Sequence, residues 1–174
     1  MKAMITRVQS VDVGCEPSPS GSGEVLIQDY LETYLLFAAR SKEVGERGFL
    51  TNLGVAVLLC KDCSASSFGY PNDEGLQEHP LYAHGIADCG SSFLEVVDSP
   101  WVAEMASRKL ASARRIWGAR QMDWEWAKDH SMRHFIVTLN EKTFECLASE
   151  LRVEKFCQTY DEALAFVWQR FGEH

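Results

Sequence analysis

The chain has 174 residues, 46% of them hydrophobic and 24% charged, which is enough to bury one core and is typical of a single globular domain. Its formal net charge of -8 at pH 7 argues against a nucleic acid or an anionic membrane as the main partner, because both bind positively charged surfaces. No apolar run approaches the ~20 residues that cross a bilayer, and the N-terminus lacks the apolar stretch of a secretory signal. We therefore expect a cytoplasmic protein whose six cysteines are reduced.

The first 23 residues are predicted to form a mobile tail. They run into the stretch GCEPSPSGSGE, whose Pro, Gly and Ser content cannot bury enough apolar area to offset the entropy of ordering. One short strand within ITRVQSV is compatible with this tail. A single domain then covers residues 24–174.

Four segments between residues 24 and 99 have the composition of β-strands. They are EVLIQDY, TYLLFAARS, GVAVLLC and SSFLEVVDS, and GVAVLLC is apolar throughout, as in a strand covered on both faces. In SSFLEVVDS we expect Glu95 on the solvated side rather than buried with a raised pKa. The lone CKDC at the end of GVAVLLC has no second cysteine pair and opens no helix, so ordinary cysteines on a strand or turn are favoured over a zinc or redox site.

The stretch SSFGYPNDEGLQEHPLYAHG, residues 66–85, is the candidate site loop. Its YPNDEG core has turn chemistry, since Pro restricts φ, Asn and Asp bond back to the chain and Gly accepts positive φ. So many polar groups are costly to bury without partners, and we expect them to border a pocket. The candidate substrate-binding residues are Asp73, His79, Tyr82 and His84. The alternative is a structural turn whose Asn and Asp side chains satisfy backbone amides.

Two helices are predicted, at about residues 98–115 and 160–171. The first has Asp98 or Ser99 as its N-cap and Pro100 at its first helical position. The second opens with the Thr–Glu capping box of TYDE. Both have apolar side chains at helical spacing, which predicts one buried face for each.

The order of these elements predicts the fold class. The helices are not interleaved with the strands as βαβ units, and most strand connections have the composition of turns. This pattern predicts an α+β fold, a single domain with a mainly antiparallel curved β-sheet and the two helices on one face or at one end. Between the helices, IWGARQMDWEWAKDHSM is expected to be a short helix or a loop anchored by its tryptophans.

The segment RHFIVTLNEKTFECLAS has the alternation of a β-hairpin. A two-residue loop at Asn140 and Glu141 places His134 and Glu145 on the same face, within roughly 5–8 Å of each other, whereas an odd-numbered loop separates them onto opposite faces. A carboxylate that orients an imidazole is the arrangement of general acid–base catalysis. His134 and Glu145 are therefore the candidate catalytic residues, with a solvated or structural pair as the alternative. The cross-strand pairs predicted by this loop are Val137–Phe144, Ile136–Glu145 and Phe135–Cys146.

Three blocks of the sequence carry a resemblance to a known family: FGYPNDEGLQEHPLY, VVDSPW and RHFIVTLNEKTFECLA. Over roughly Gly54 to Ala148 the chain resembles a family of small bacterial proteins with a YPNDE…HPLY block, a helix start of the Asn-Ser-Pro-Trp type and an RHF…TFEC hairpin. The family brings no established activity, so the resemblance implies a bacterial protein and assigns no site residue. The stretch TLNEKTF departs from the family where a second aromatic residue and a His-Asp turn are expected.

Our leading hypothesis is a pocket on the sheet that binds a small polar or aromatic molecule. If the protein is an enzyme, cofactor-free acid–base chemistry of the isomerase, cyclase or lyase type is expected, with His134 as base or acid, Glu145 as its partner and His79, His84 or Asp73 completing the site. The alternatives are a non-enzymatic interaction or regulatory module and a metal-dependent enzyme with histidine ligands. The loop histidines lack the tight spacing of a metal site, so no metal or cofactor is predicted. A homodimer is left open.

Overall fold

The computed structural model describes residues 6–21, 23–29, 32–45, 48–117 and 132–173. Within these residues the chain forms ten β-strands and two α-helices, and all strand pairs are antiparallel. The predicted α+β class and the single domain with antiparallel curved strands are confirmed. The tryptophan-rich segment for which a short helix or an anchored loop is expected lies almost wholly outside the described residues.

The strands form two sheets rather than one. The first sheet has the order β1 (Arg7–Ser10), β7 (Phe93–Val97), β8 (Arg133–Thr138), β9 (Thr143–Ala148) and β6 (Ala65–Gly69). The second sheet has the order β10 (Glu150–Cys157), β5 (Leu50–Lys61), β4 (Thr33–Val44) and β2 (Glu16–Pro17), and β3 (Val25–Gln28) also pairs with β4. The strands predicted from composition are therefore present as β3, β4, β5 and β7.

The two sheets enclose the main hydrophobic core. Its fully buried members include Leu35 and Phe37 of the second sheet and Phe135 and Phe144 of the first. Helix α2 (Tyr160–Gly172) covers the outer face of the second sheet and packs Val167 against it. This explains the continuous apolar run in β5, because alternate side chains enter two different cores. Ala56, Leu58 and Cys60 lie between the sheets, whereas Val55, Val57 and Leu59 lie beneath α2.

The outer face of the first sheet is covered by the predicted site loop. This loop contains three short 3₁₀ turns, Leu76–Glu78, Tyr82–His84 and Ile86–Asp88. Ile86 is buried against apolar side chains of β7 and β8. A second attachment is the hydroxyl of Thr143 in β9, which donates to the backbone carbonyl of Pro71 over 2.6 Å. The polar stretch therefore lies directly above the strands that carry His134 and Glu145.

Both predicted helices are present, within two residues of their expected ends. Helix α1 spans Pro100–Trp117, and its N-cap is Ser99, whose Oγ accepts from the N–H of Val102 at 3.3 Å. Helix α2 is capped by Thr159. A capping box predicts that the carboxylate of Glu162 accepts from the backbone N–H of the N-cap, Thr159. In the structure it accepts instead from the backbone N–H of the preceding residue, Gln158. None of the described helices has the length and apolarity needed to cross a bilayer.

The N-terminal segment differs from the mobile tail that composition predicts. Strand β1, which lies within the ITRVQSV stretch, pairs with β7, and β2 pairs with β4. Between them Cys15 is fully buried in the core, and burial raises the pKa of its thiol to about 12. Cys15 and the neighbouring Val11 and Val13 contact the core. The high Pro, Gly and Ser content of the whole stretch gave no indication of these apolar contacts.

The CKDC sequence lies at the end of β5 and in the turn after it, as expected for ordinary cysteines. All six cysteines are free thiols. Cys60 is buried on the strand, and Cys63 is half-buried beyond the turn. A hydrogen bond with Cys146 and burial both raise the pKa of the Cys63 thiol, which is the opposite of what an activated redox cysteine needs.

Candidate functional site

The hairpin β8–β9 has the register that the two-residue loop predicts. Its turn is closed by the backbone N–H of Leu139, which donates to the carbonyl of Lys142 over 2.9 Å, leaving Asn140 and Glu141 at the tip. Because adjacent residues point to opposite faces, this register buries one set of side chains between the sheets and turns His134 and Glu145 outward. The observed pairs include Val137–Phe144, Ile136–Glu145 and Phe135–Cys146.

Glu145 binds two histidines at once. Its Oε2 lies 2.9 Å from Nε2 of His134, and its Oε1 lies 3.2 Å from Nε2 of His79. Both imidazoles are buried, with 3% and 4% of their residue surfaces exposed for His134 and His79 respectively. The predicted catalytic pair is thus in direct contact, and one of the predicted substrate-binding residues is the second partner of the same carboxylate.

The hydrogen bonds define the tautomer of His79. The backbone N–H of Leu81 donates to Nδ1 of His79 over 3.1 Å, so Nδ1 carries a lone pair and the ring proton lies on Nε2. This proton points at Glu145, which as a carboxylate only accepts. His79 therefore holds one carboxylate oxygen in place, and the Leu81 amide holds His79.

His134 forms a second hydrogen bond on its other side. Its Nδ1 lies 2.8 Å from Oγ of Ser99, the N-cap of α1. Nε2 donates to Glu145, and whenever the ring is neutral its Nδ1 carries a lone pair, so the hydroxyl of Ser99 is then the donor. A continuous chain of hydrogen bonds therefore runs from Ser99 through His134 to Glu145.

Glu145 carries the negative charge of the cluster. Burial alone raises the pKa of this carboxyl group, but the hydrogen bonds from His134 and His79 outweigh burial and lower the pKa to about 2. Glu145 is therefore ionised at neutral pH. An ionised carboxylate beside a neutral imidazole stabilises the imidazolium that forms when the ring takes up a proton.

A cleft of about 370 Å³ opens onto this cluster. Trp101 forms one wall, and its ring meets the imidazole of His134 edge to face with centroids 5.1 Å apart. The walls are mainly apolar, and Glu145 is the only carboxylate among the residues that line them. The lining residues are Ser67, His79, Pro80, Leu81, Ser99, Pro100, Trp101, His134 and Glu145.

The other predicted loop residues lie away from this cleft. Tyr82 is half-buried and packs against the apolar cluster around Ile86, and His84 is exposed. Asp73 is also exposed and borders a separate cavity of about 150 Å³ that Asn140 also lines. Of the four loop residues expected to bind substrate, only His79 reaches the cluster. Binding roles for the other three stay predictions that this cleft does not support.

Ser99 is the site residue that the sequence analysis assigned only as a possible helix cap. The available signal was its position, directly between the end of a predicted strand and the first turn of a predicted helix. Nothing in the local sequence indicated that its hydroxyl would meet His134, because the two residues are 35 positions apart.

Glu95 is half-buried on the first sheet and forms a bidentate ion pair with Arg133, at 2.7 and 2.8 Å. The hydrogen bonds from Arg133 outweigh burial and lower the pKa of Glu95. The pKa of Glu95 is therefore not raised, as expected, but its carboxylate is half-buried and paired with Arg133 rather than solvated. The pair lines a further cavity of about 290 Å³, which Ser99 and His134 also line.

Metal ligation is not supported by the arrangement of the described residues. Among them, no group of three or more His, Cys, Asp or Glu side chains converges in a way that could hold a metal ion. His79 and His134 both direct Nε2 at Glu145, and His84, the third histidine considered as a ligand, is exposed.

No protein-family model matches the chain, and the comparisons found no match among curated proteins or solved structures. The resemblance to the small bacterial family therefore stays an expectation. The assignment of function depends on the geometry of the cluster and its cleft.

Proposed function

We propose that the cleft binds a small molecule with an apolar or aromatic body and one polar group, and that His134 exchanges a proton with it. The observation that carries this proposal is the position of His134, a buried imidazole that contacts an ionised carboxylate at 2.9 Å and lines a cleft with apolar walls. Chemistry of this type requires only the side chains present: His134 as base or acid, and Glu145 as its charged partner.

The surroundings favour proton transfer by His134. Apolar walls lower the local dielectric, which strengthens the interaction between Glu145 and an imidazolium. His79 orients the carboxylate and has its own Nδ1 occupied by Leu81. The backbone amide of Leu81 does not give up its proton, so His79 is a positioning residue. Nδ1 of His134 instead faces the exchangeable hydroxyl proton of Ser99, and through this hydroxyl His134 exchanges a proton with the bound molecule.

The protonation pattern can be measured directly. Long-range ¹H–¹⁵N spectra of the imidazole rings should show both His79 and His134 as the Nε2–H tautomer at neutral pH. His84, which is exposed, serves as the internal reference. A proton found on Nδ1 of neutral His134 would contradict the proposal, because that ring could not accept a proton on the side facing Ser99.

Binding can be tested with a variant that closes the cleft. Ser67 is exposed on β6 and lines the cleft, so Ser67→Trp should fill its mouth. Gln77→Trp is the matched control, because Gln77 is exposed on the loop above the same sheet and does not line the cleft. We expect small aromatic and polar metabolites that bind the wild type in ligand-observed NMR to be lost with Ser67→Trp and retained with Gln77→Trp. Failure to find any ligand with this pattern would overturn the proposal.

A further inference from the structure

Ser99 stands at a strand–turn–helix junction. Strand β7 ends at Val97, Asp98 adopts a left-handed backbone with φ 56°, and α1 begins at Pro100. This sharp turn directs the hydroxyl of Ser99 into the angle between the helix and the first sheet. Ser99 is only 4% exposed, yet it lines the cleft, so a molecule bound in the cleft has access to it.

The hydroxyl of Ser99 does more than an N-cap requires. Capping uses its oxygen as an acceptor, here from Val102 at 3.3 Å. Its proton is directed at Nδ1 of His134, 2.8 Å away. The cap of α2 provides a comparison, since Thr159 caps that helix in the same way but is exposed and lies outside the cleft.

We infer that Ser99 is a nucleophile in this site and that the substrate is a small uncharged ester. This inference rests on the proposed function, because it uses the same cleft and the same base. An alcohol becomes nucleophilic when a positioned base removes its proton and a third group orients and charges that base. Ser99, His134 and Glu145 occupy these three roles, with Nδ1 rather than Nε2 of the imidazole facing the serine.

The reaction balances with the ester and one water molecule from solvent. Oγ of Ser99 forms a bond to the carbonyl carbon of the ester while its proton moves to Nδ1 of His134. The tetrahedral intermediate collapses, the bond to the alkoxy oxygen breaks, and the departing alcohol takes the proton from Nδ1. Water then attacks the acyl-serine with Nδ1 again as base, which releases the acid and restores Ser99.

The start of α1 supplies a donor for the developing oxyanion. Pro100 has no N–H, and the N–H of Val102 is bound by Ser99, whereas the N–H of Trp101 has no carbonyl one turn earlier within the helix. The positive end of the helix dipole adds to its effect. By its position in the first turn of α1, the amide of Trp101 is the candidate donor to negative charge that develops on a substrate beside Ser99.

The lining of the cleft defines the class of ester. Its walls are formed by Trp101, Leu81 and two prolines, and the ionised Glu145 repels anions. A cleft of about 370 Å³ accommodates a small acyl or aryl group. We therefore expect short, uncharged acyl groups to be preferred and carboxylate-bearing esters to be excluded.

Diisopropyl fluorophosphate tests this inference, because a serine activated by a base displaces its fluoride and becomes covalently labelled. Wild-type protein should gain one adduct in intact-mass spectra, and peptide mapping should locate it at Ser99. The rate of labelling should fall at least tenfold in His134→Gln. Thr159→Ala, which also loses an N-cap hydroxyl, should be labelled at the wild-type rate, and Ser99→Ala should not be labelled at all.

The outcomes separate this inference from the proposed function. The mapping uses wild-type protein, so it does not depend on whether Ser99→Ala folds. An unlabelled wild type, or an adduct located elsewhere, overturns the role of Ser99. If the cleft still binds ligands that Ser67→Trp removes, the proposed function survives that result. If labelling and cleft binding are both absent, both proposals fall.

Discussion

Replacing Glu145 by Gln removes the charge shared by the two buried histidines while preserving the size of the side chain. Hydrogen bonding by His134 and His79 outweighs burial and lowers the pKa of Glu145 from 4.5 to about 2. At ~1.4 kcal/mol per pKa unit, this shift corresponds to about 3 kcal/mol of stability. Gln accepts from one histidine but presents N–H donors to the other. We therefore expect Glu145→Gln to lower the free energy of unfolding at pH 7 by about 2–3 kcal/mol.

The pH dependence of this difference has a defined sign. Because the folded-state pKa of Glu145 lies below the unfolded-state value, its contribution is complete above about pH 5 and is lost as the pH falls towards 2. Urea denaturation followed by tryptophan fluorescence between pH 7 and pH 3 should show the wild type approaching the variant. Glu74→Gln, which removes an exposed carboxylate from the loop above, is the control. A wild-type advantage that is under about 0.5 kcal/mol at pH 7, or is the same at pH 3, would refute the reasoning.

Two further predictions concern stability. Gly54 has φ +82°, and an added Cβ would overlap the backbone carbonyl of Cys157. In thermal or urea denaturation, Gly54→Ala should therefore lose more than about 2 kcal/mol of stability. Gly90→Ala is the control, because an added Cβ there meets nothing within 4 Å, and equal stability of the two variants would contradict the prediction. Thr143→Val leaves the carbonyl of Pro71 without its 2.6 Å partner, and we expect a loss of about 1–3 kcal/mol with faster proteolysis of the loop after Pro71. Unchanged proteolysis would show that this bond does not hold the loop.

The hairpin shows how far local sequence can predict a site. The alternation of the two arms predicts the hairpin, and the register of the hairpin determines which side chains share a face. A two-residue loop pairs His134 with Glu145 and an odd-numbered loop separates them, and the observed turn is the two-residue loop. The helix caps are predictable for the same reason, since the N-cap hydroxyl and the amide it binds lie within three residues of each other.

The contact between His79 and Glu145 shows what local sequence patterns do not predict. His79 and Glu145 are 66 positions apart, and no periodicity relates a loop residue to a strand residue at that separation. The number of sheets escaped prediction for the same reason, because composition identifies strands but not their partners.

The sequence by itself determined most of the strands, the two helices with their caps, and the hairpin whose two-residue loop puts an imidazole beside a carboxylate. These features depend on contacts between residues that are close along the chain or joined by one tight turn. Only the tertiary structure decided that the loop bearing His79 and the helix start bearing Ser99 meet the same pair. The positions of the loop and the helix depend on which of their apolar side chains are buried against the outer face of the sheet. Such long-range packing leaves no local pattern in the sequence.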